Sequence, residues 1–267
     1  MSFTTLTLEK KDGIVLLTLN RPEARNAITG VMIAELRGVI ERIAADPEAR
    51  VLVLTGAGAA FQSGADIREL SSMSQHEAFA WLEPVNKTLL ALERLRIPVI
   101  AAVNGPAFGG GFELALACDM RIAAASARFA LPETGLGIIP GAGGCERLSR
   151  IVGPGLAAEL IMTGRTVDAE EALRLSLVNR IAPHGRAVEA AMELARTLCA
   201  RPPQALAMAK KALARANARE LDLLVFESAR LSAQCFGSVE AQEGMAAFLE
   251  KRAPVFTKTD SGKDGEQ

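Results

Sequence analysis

The chain has 267 residues, 49% of them hydrophobic and 23% charged, which excludes wholesale disorder and gives ample length for a buried core. Lys and Arg total 30 against 31 Asp and Glu, so the formal charge is −1, and nucleic acid is not expected as the main partner. Four cysteines without a CxxC pair and two histidines, His76 and His184, exclude both a zinc-ligand pattern and a small disulfide framework.

Residues 5–8 alternate apolar and polar, and residues 14–19 form an apolar run, with Lys10-Lys11-Asp12-Gly13 between them. This predicts a β-hairpin. No basic segment followed by an apolar one opens the chain, so no signal peptide is expected, and a cytoplasmic location with reduced cysteines is the simpler reading. Thr29 then caps a predicted helix with apolar residues at Met32, Ile33, Leu36, Val39, Ile40 and Ile43, which stops at Asp46-Pro47. Residues 51–54 form a short strand before the loop TGAGAAFQSGAD. A helix is predicted over 75–95, a strand over 98–103, the loop NGPAFGGG, and a helix over 112–117. Further strands are expected at 120–124 and 129–131. The most apolar stretch, 97–117, contains two prolines, Asn104, three consecutive glycines and Glu113, so it reads poorly as a membrane span and no membrane partner is expected.

Strand, Gly-rich loop and helix recur, which argues for an α/β fold with its loops gathered at one end of a sheet. Beyond about Gly141 the segments 168–174, 186–199, 203–216 and 239–250 read as helices, with one apolar run at 178–181. The division expected is an α/β core over 1–200, a join at Arg201-Pro202-Pro203, a helical region over 201–256 and a frayed polar tail over 257–267.

Three loops can carry chemistry: 61–67, 104–113 and 131–144. Three consecutive glycines ahead of a helix let a ligand approach the main chain closely. A helix N-terminus adds free N–H groups and a positive dipole end, which suits an oxyanion hole. The same residues also suit a tight turn with close helix packing. Glu113 lies beside those amides, and Glu133 follows Pro132 in the next Gly-rich loop. Two carboxylates there can work as an acid/base pair, or Glu113 can be a solvated first-turn residue. Gly56-Ala57-Gly58-Ala59-Ala60-Phe61 fails the dinucleotide fingerprint at its last position, and no P-loop or GxSxG elbow occurs. The histidines are expected at the surface, and the cysteines as small core residues.

The stretch 97–153, from IPVIAAVNGPAFGGGFELALACD through FALPETGLGIIPGAGGCERL to RIVG, resembles the signature region of the crotonase (enoyl-CoA hydratase/isomerase) superfamily. So do RPEARNAI, FQSGADI and EGMAAFLEKRAPVF, in the family's order along nearly the whole chain. The resemblance implies a spiral of ββα turns with a helical C-terminal trimerisation region, and a homo-trimer or a hexamer built as a dimer of trimers. It implies an acyl-CoA thioester as substrate. Coenzyme A is then part of the substrate, and no metal or other cofactor is needed. The amides of Ala65 and Gly110 match the family's oxyanion hole, Glu113 and Glu133 its two hydratase carboxylates, and the amide of Gly141 a water-holding position. Arg25, Ala27, Ser63, Ala65, Asp66, Ile67 and Arg68 match segments that bind the CoA adenine and phosphates. Phe248 and Lys251 match residues that reach the CoA of a neighbouring subunit.

By the same resemblance, water adds syn across the C2–C3 bond of a trans-2-enoyl-CoA, Glu113 deprotonating the water and Glu133 giving the C2 proton. Having Glu at both positions favours hydration over double-bond isomerisation. A branched substrate such as 3-methylglutaconyl-CoA is the alternative within the class. A non-catalytic acyl-CoA- or RNA-binding relative is the alternative outside it. Phe112 and Cys145 depart from the residues usual at their positions, and neither removes a catalytic group.

Overall fold

In the computed structural model, which describes residues 3–217 and 221–256, the chain opens with a hairpin. Strands β1 (Leu6–Lys11) and β2 (Ile14–Leu19) pair antiparallel across Asp12 and Gly13. Both turn residues sit at positive φ, 54° and 78°, as the right-handed twist of a two-residue hairpin demands. Helix α1 (Gly30–Ala45) starts where Thr29 Oγ accepts the Met32 N–H at 3.3 Å, and it buries the six apolar residues expected. Strand β3 (Val51–Gly56) follows. A four-residue helix α2 (Ile67–Leu70), where no element is expected, precedes α3 (Gln75–Glu93). Ser74 and Glu77 form a reciprocal capping box at the start of α3.

Next come β4 (Val99–Val103), β5 (Ala107–Phe108) and α4 (Gly110–Leu116). Helix α4 begins two residues earlier than expected, so the second and third glycines of the triplet form its first turn. Strands β6 (Met120–Ala124) and β7 (Arg128–Ala130) lead to a 3-10 turn at Glu133–Leu136. Helices α5 (Gly144–Val152) and α6 (Pro154–Thr163), strand β8 (Val167–Asp168), helix α7 (Ala169–Arg174), strand β9 (Arg180–Ala182) and helix α8 (Ala187–Cys199) complete the part before residue 201. Helices α9 (Pro203–Asn217), α10 (Leu221–Cys235) and α11 (Val239–Glu250) follow. The tail expected over 257–267 lies outside the described residues.

The long sheet has the order β1-β2-β3-β4-β6-β9 and is parallel from β2 onward. The second, short sheet has the order β5-β7-β8. Two isolated bridges, Ile28 to Ala65 and Gln62 to Ala107, extend its ladder backwards along the chain. Each turn therefore gives one strand to the long sheet, one extended piece to the short one, and a helical return. That is the spiral of ββα turns. Both faces of the long sheet are buried. Leu52, Leu54, Ala101 and Val103 face one core with α1 and α3. Val51, Val53, Ile100 and Ala102 face another, closed by Ala187, Ala191 and Ala195 of α8. Among the described residues no helix is long and apolar enough to cross a membrane.

The spiral places its loops in register. The 61–66 loop lies against the 104–111 loop, because Phe61 and Gln62 both donate to Pro106 O at 3.1 Å, and Phe108 donates to Gln62 O at 3.0 Å. Helices α10 and α11 close the far side, α10 against α3 and α5, and α11 against the 3-10 turn.

Candidate active site

Glu113 sits in the first turn of α4 and is 3% exposed. Its Oε1 accepts two backbone N–H groups at 2.8 Å each, from Ala142 and Gly144. Gly144 is the first residue of α5, so the carboxylate also meets the positive end of that helix. Gly144 tolerates no larger residue, since a methyl group there would stand 2.9 Å from Glu113 Oε1. Burial pushes the Glu113 pKa up to about 7, while the two amides and the Arg147 guanidinium pull it down and Glu146 pushes it up.

Glu133 opens the 3-10 turn and is 8% exposed. Its Oε2 is buried without a hydrogen-bond partner. Burial, and then the charge of Glu113, hold its pKa well above the ordinary carboxylate range. The two carboxylates meet at the triple glycine. A methyl group on Gly109 would lie 3.0 Å from Glu133 Oε1, and one on Gly110 would lie 3.9 Å from Glu113 Oε2 and 4.0 Å from Ala65 N. Gly109 takes φ 52° and ψ −127°, a backbone that only glycine adopts freely. At Gly111 any side chain would run into the backbone of Gln62.

The Ala65 and Gly110 amides have no acceptor among the described residues. For Ala65 the cause is the bridge geometry. Ile28 donates to Gly64 O at 2.8 Å and accepts from Asp66 N at 2.9 Å, passing over the Ala65 N–H between them. For Gly110 the cause is its place at the start of α4, where N–H groups have no intrahelical partner. A methyl group on Gly64 would lie 3.9 Å from Gly110 N, and one on Gly110 4.0 Å from Ala65 N, so the two free amides stand close together beside both carboxylates, the arrangement an oxyanion needs. The Gly141 carbonyl accepts from Asn86 Nδ2 at 2.8 Å, and its N–H likewise has no acceptor among the described residues.

The expected CoA residues divide into two groups. Residues 24–28 run beside 63–66 as one lip, joined by Ser63 N donating to Arg25 O at 3.1 Å. Arg25 and Arg68 are exposed, and Ala27 is buried. Asp66 caps α2 through the Arg68 N–H and lies 3.6 Å from Arg21. Ile67 packs into the small apolar cluster under α11. Phe248 and Lys251 stand apart, exposed at the far end of α11.

Several supporting residues escaped the sequence reading. Asn26 is fully buried, at φ 58°, and its Nδ2 donates to the carbonyls of Ala57, Ala60 and Phe61, tying the lip to the 57–61 loop. Gln62 folds back to accept the Gly64 N–H at 3.0 Å and so shapes the turn before Ala65. Of the cysteines only Cys118 is fully buried. Cys145 is half-buried near both glutamates, and burial with the neighbouring carboxylates pushes its thiol up to about 12, far from a nucleophilic thiolate. Among the described residues no group of three or more His, Cys, Asp or Glu side chains is arranged to hold a metal.

Comparison with known proteins follows the same outline. The family model for enoyl-CoA hydratase/isomerase matches residues 9–259. The short-chain-enoyl-CoA hydratase of Clostridium acetobutylicum is 42% identical over 254 residues, covering 94% of this chain and 97% of its own. The 2,3-dehydroadipyl-CoA hydratase of Escherichia coli is 38% identical, over 94% of this chain and 98% of its own. The crystal structure of an enoyl-CoA hydratase from Mycobacterium avium subsp. paratuberculosis superposes with a TM-score of 0.88 at 31% identity, over 96% of this chain and all of that one.

Proposed function

The chain belongs to the enoyl-CoA hydratase/isomerase family, and we propose that within it the protein is a hydratase that adds water across the C2–C3 double bond of a trans-2-enoyl-CoA. The observation that carries this is the unequal pair of buried carboxylates beside two free amides. Glu113, held by two N–H groups, is the one suited to be ionised and to take a proton from water. Glu133, with no donor on its buried oxygen, is the one suited to stay protonated.

In the forward step the water oxygen bonds to C3 and its proton goes to Glu113. The C2–C3 π electrons move toward the thioester carbonyl, and the Ala65 and Gly110 amides stabilise the negative oxygen that results. The enolate then takes the Glu133 proton at C2, which gives the 3-hydroxyacyl-CoA. Glu113 now carries a proton and Glu133 a charge, so one transfer back through a water restores the pair. The Gly141 N–H would hold the attacking water. The lip with Arg25 and Arg68 would take the CoA phosphates. Phe248 and Lys251, exposed at the C-terminal end of α11, would serve a neighbouring copy in a trimer or hexamer.

The test is loss of the conjugated enoyl thioester of crotonyl-CoA, followed by absorbance, with Glu113→Gln and Glu133→Gln alongside. Each substitution is expected to lower kcat by about 10²–10⁴ while CoA binding survives. Wild-type turnover that neither substitution affects would sink the assignment.

A further inference from the structure

The loop that grips Glu113 is itself gripped from behind. Ala142 donates its N–H to Glu113 Oε1, and its carbonyl accepts Arg147 Nη1 at 2.6 Å. Arg147 is 3% exposed, and its other two nitrogens form a fork onto Glu93 of α3, Nε to Oε1 at 2.8 Å and Nη2 to Oε2 at 3.0 Å. Glu93 lies two helical turns from Asn86, the α3 residue that holds the Gly141 carbonyl. One face of α3 therefore grips the 140–144 loop at two points. The grip is tight at Gly143, where any side chain would collide with the Arg147 guanidinium.

We propose that Glu93 and Arg147 form a positioning pair, which fixes the loop that clamps Glu113 and keeps a compensated positive charge behind that carboxylate. The pair rests on the reading of Glu113 as the proton acceptor, and it touches no substrate. Without Arg147 the Ala142 carbonyl loses its buried donor and the Ala142 N–H is free to turn away from Glu113. Without the Glu93 charge the guanidinium acts on Glu113 unopposed. The other ionisable groups around Glu113 are Glu133 on the 3-10 turn, and Cys145 and Glu146 on α5. Glu146 is engaged by Ser228 of α10. Of the charges around Glu113, Arg147 is the one that favours its ionised form.

The two partners thus make opposite predictions. Arg147→Met should raise the pH at which Glu113 ionises, and Glu93→Gln should lower it. Both are read on the full-length protein in two ways. The first is the acid limb of kcat/KM against pH with crotonyl-CoA. The second is the ¹³C carboxyl titration that disappears in Glu113→Gln. Arg147→Met should also lower kcat/KM by about 10²-fold through displacement of the clamp. Arg147→Lys, which keeps the charge and loses the fork, should leave the limb in place with a partial loss of rate.

Limbs that stay put, or move the same way in Arg147→Met and Glu93→Gln, would overturn the pair even if both variants are slow. If Arg147→Met does not fold, the downward move in Glu93→Gln decides the matter alone. A wild-type protein that does not hydrate crotonyl-CoA defeats the hydratase reading instead, and the ¹³C titration then still tests the pair.

Discussion

Glu113 and Glu133 have the same side chain, similar burial and adjoining glycine-rich backbones, yet they are held differently. Glu113 has two amides on one oxygen and a buried guanidinium behind the loop. Glu133 has a buried oxygen with no partner and faces the charge of the other. The difference teaches that the division of labour lies in what the backbone donates to each. Desolvation raises both pKa values; two amides of the 140–144 loop draw Glu113 back toward the ionised form, whereas Glu133 has only its own backbone N–H to do so and faces the Glu113 charge besides.

The sharpest way to break that asymmetry is at Gly109. A side chain there would need the φ 52°, ψ −127° backbone and would push on Glu133 Oε1. Gly109→Ala should displace the acid and tilt the Gly110 amide together, lowering kcat by at least about 10³. It should destabilise the fold by about 1–3 kcal/mol through backbone strain. An active Gly109→Ala enzyme would mean that the glycine does not position the pair.

How much of this was legible differs along the chain. The hairpin turn, the Thr29 cap and the apolar face of α1 follow from local rules, and the sequence shows them. The two glutamates stand out through their glycine neighbours. Their meeting at Gly109 and Gly110 depends on how the spiral stacks one turn on another, which spacing along the chain does not encode. The two-residue β5 and the four-residue α2 are too short to carry a period. Asn26 acts on backbone carbonyls of another loop, Gln62 on the Gly64 amide of its own, and Arg147 on the Ala142 carbonyl and a distant Glu93, and such bonds leave no pattern in composition. Their signal is a polar residue in an otherwise buried loop, which becomes visible only when burial is known.

A smaller effect sharpens the comparison through pH. The productive state has Glu113 ionised and Glu133 protonated, so the pair holds one proton in all. The kcat/KM profile should rise as the pair loses its first proton and fall as it loses the second, the two apparent pKa values belonging to the pair. Both limbs should lie above the ordinary carboxylate value of 4.5. A profile flat from about pH 5 to 9 would show that no proton is shared.

The smallest effect is on stability, and its sign follows from linkage. In the folded protein Glu133 keeps its proton to a higher pH than in the unfolded chain, where its pKa is near 4.5. Below that value both states are protonated and the fold has its full stability. As pH rises toward the folded value, the unfolded chain loses its proton while the folded one keeps it, so stability falls. Glu133→Gln is neutral at every pH and escapes this loss. The Tm of Glu133→Gln relative to wild type should therefore be higher at pH 8 than at pH 5, by about 2–4 °C for each kcal/mol gained. The variant that loses turnover would then be the more stable protein at neutral pH, as expected where an active site carries a desolvated acid. A Tm difference independent of pH would mean that Glu133 ionises like an exposed carboxylate, and the asymmetry with Glu113 would be lost.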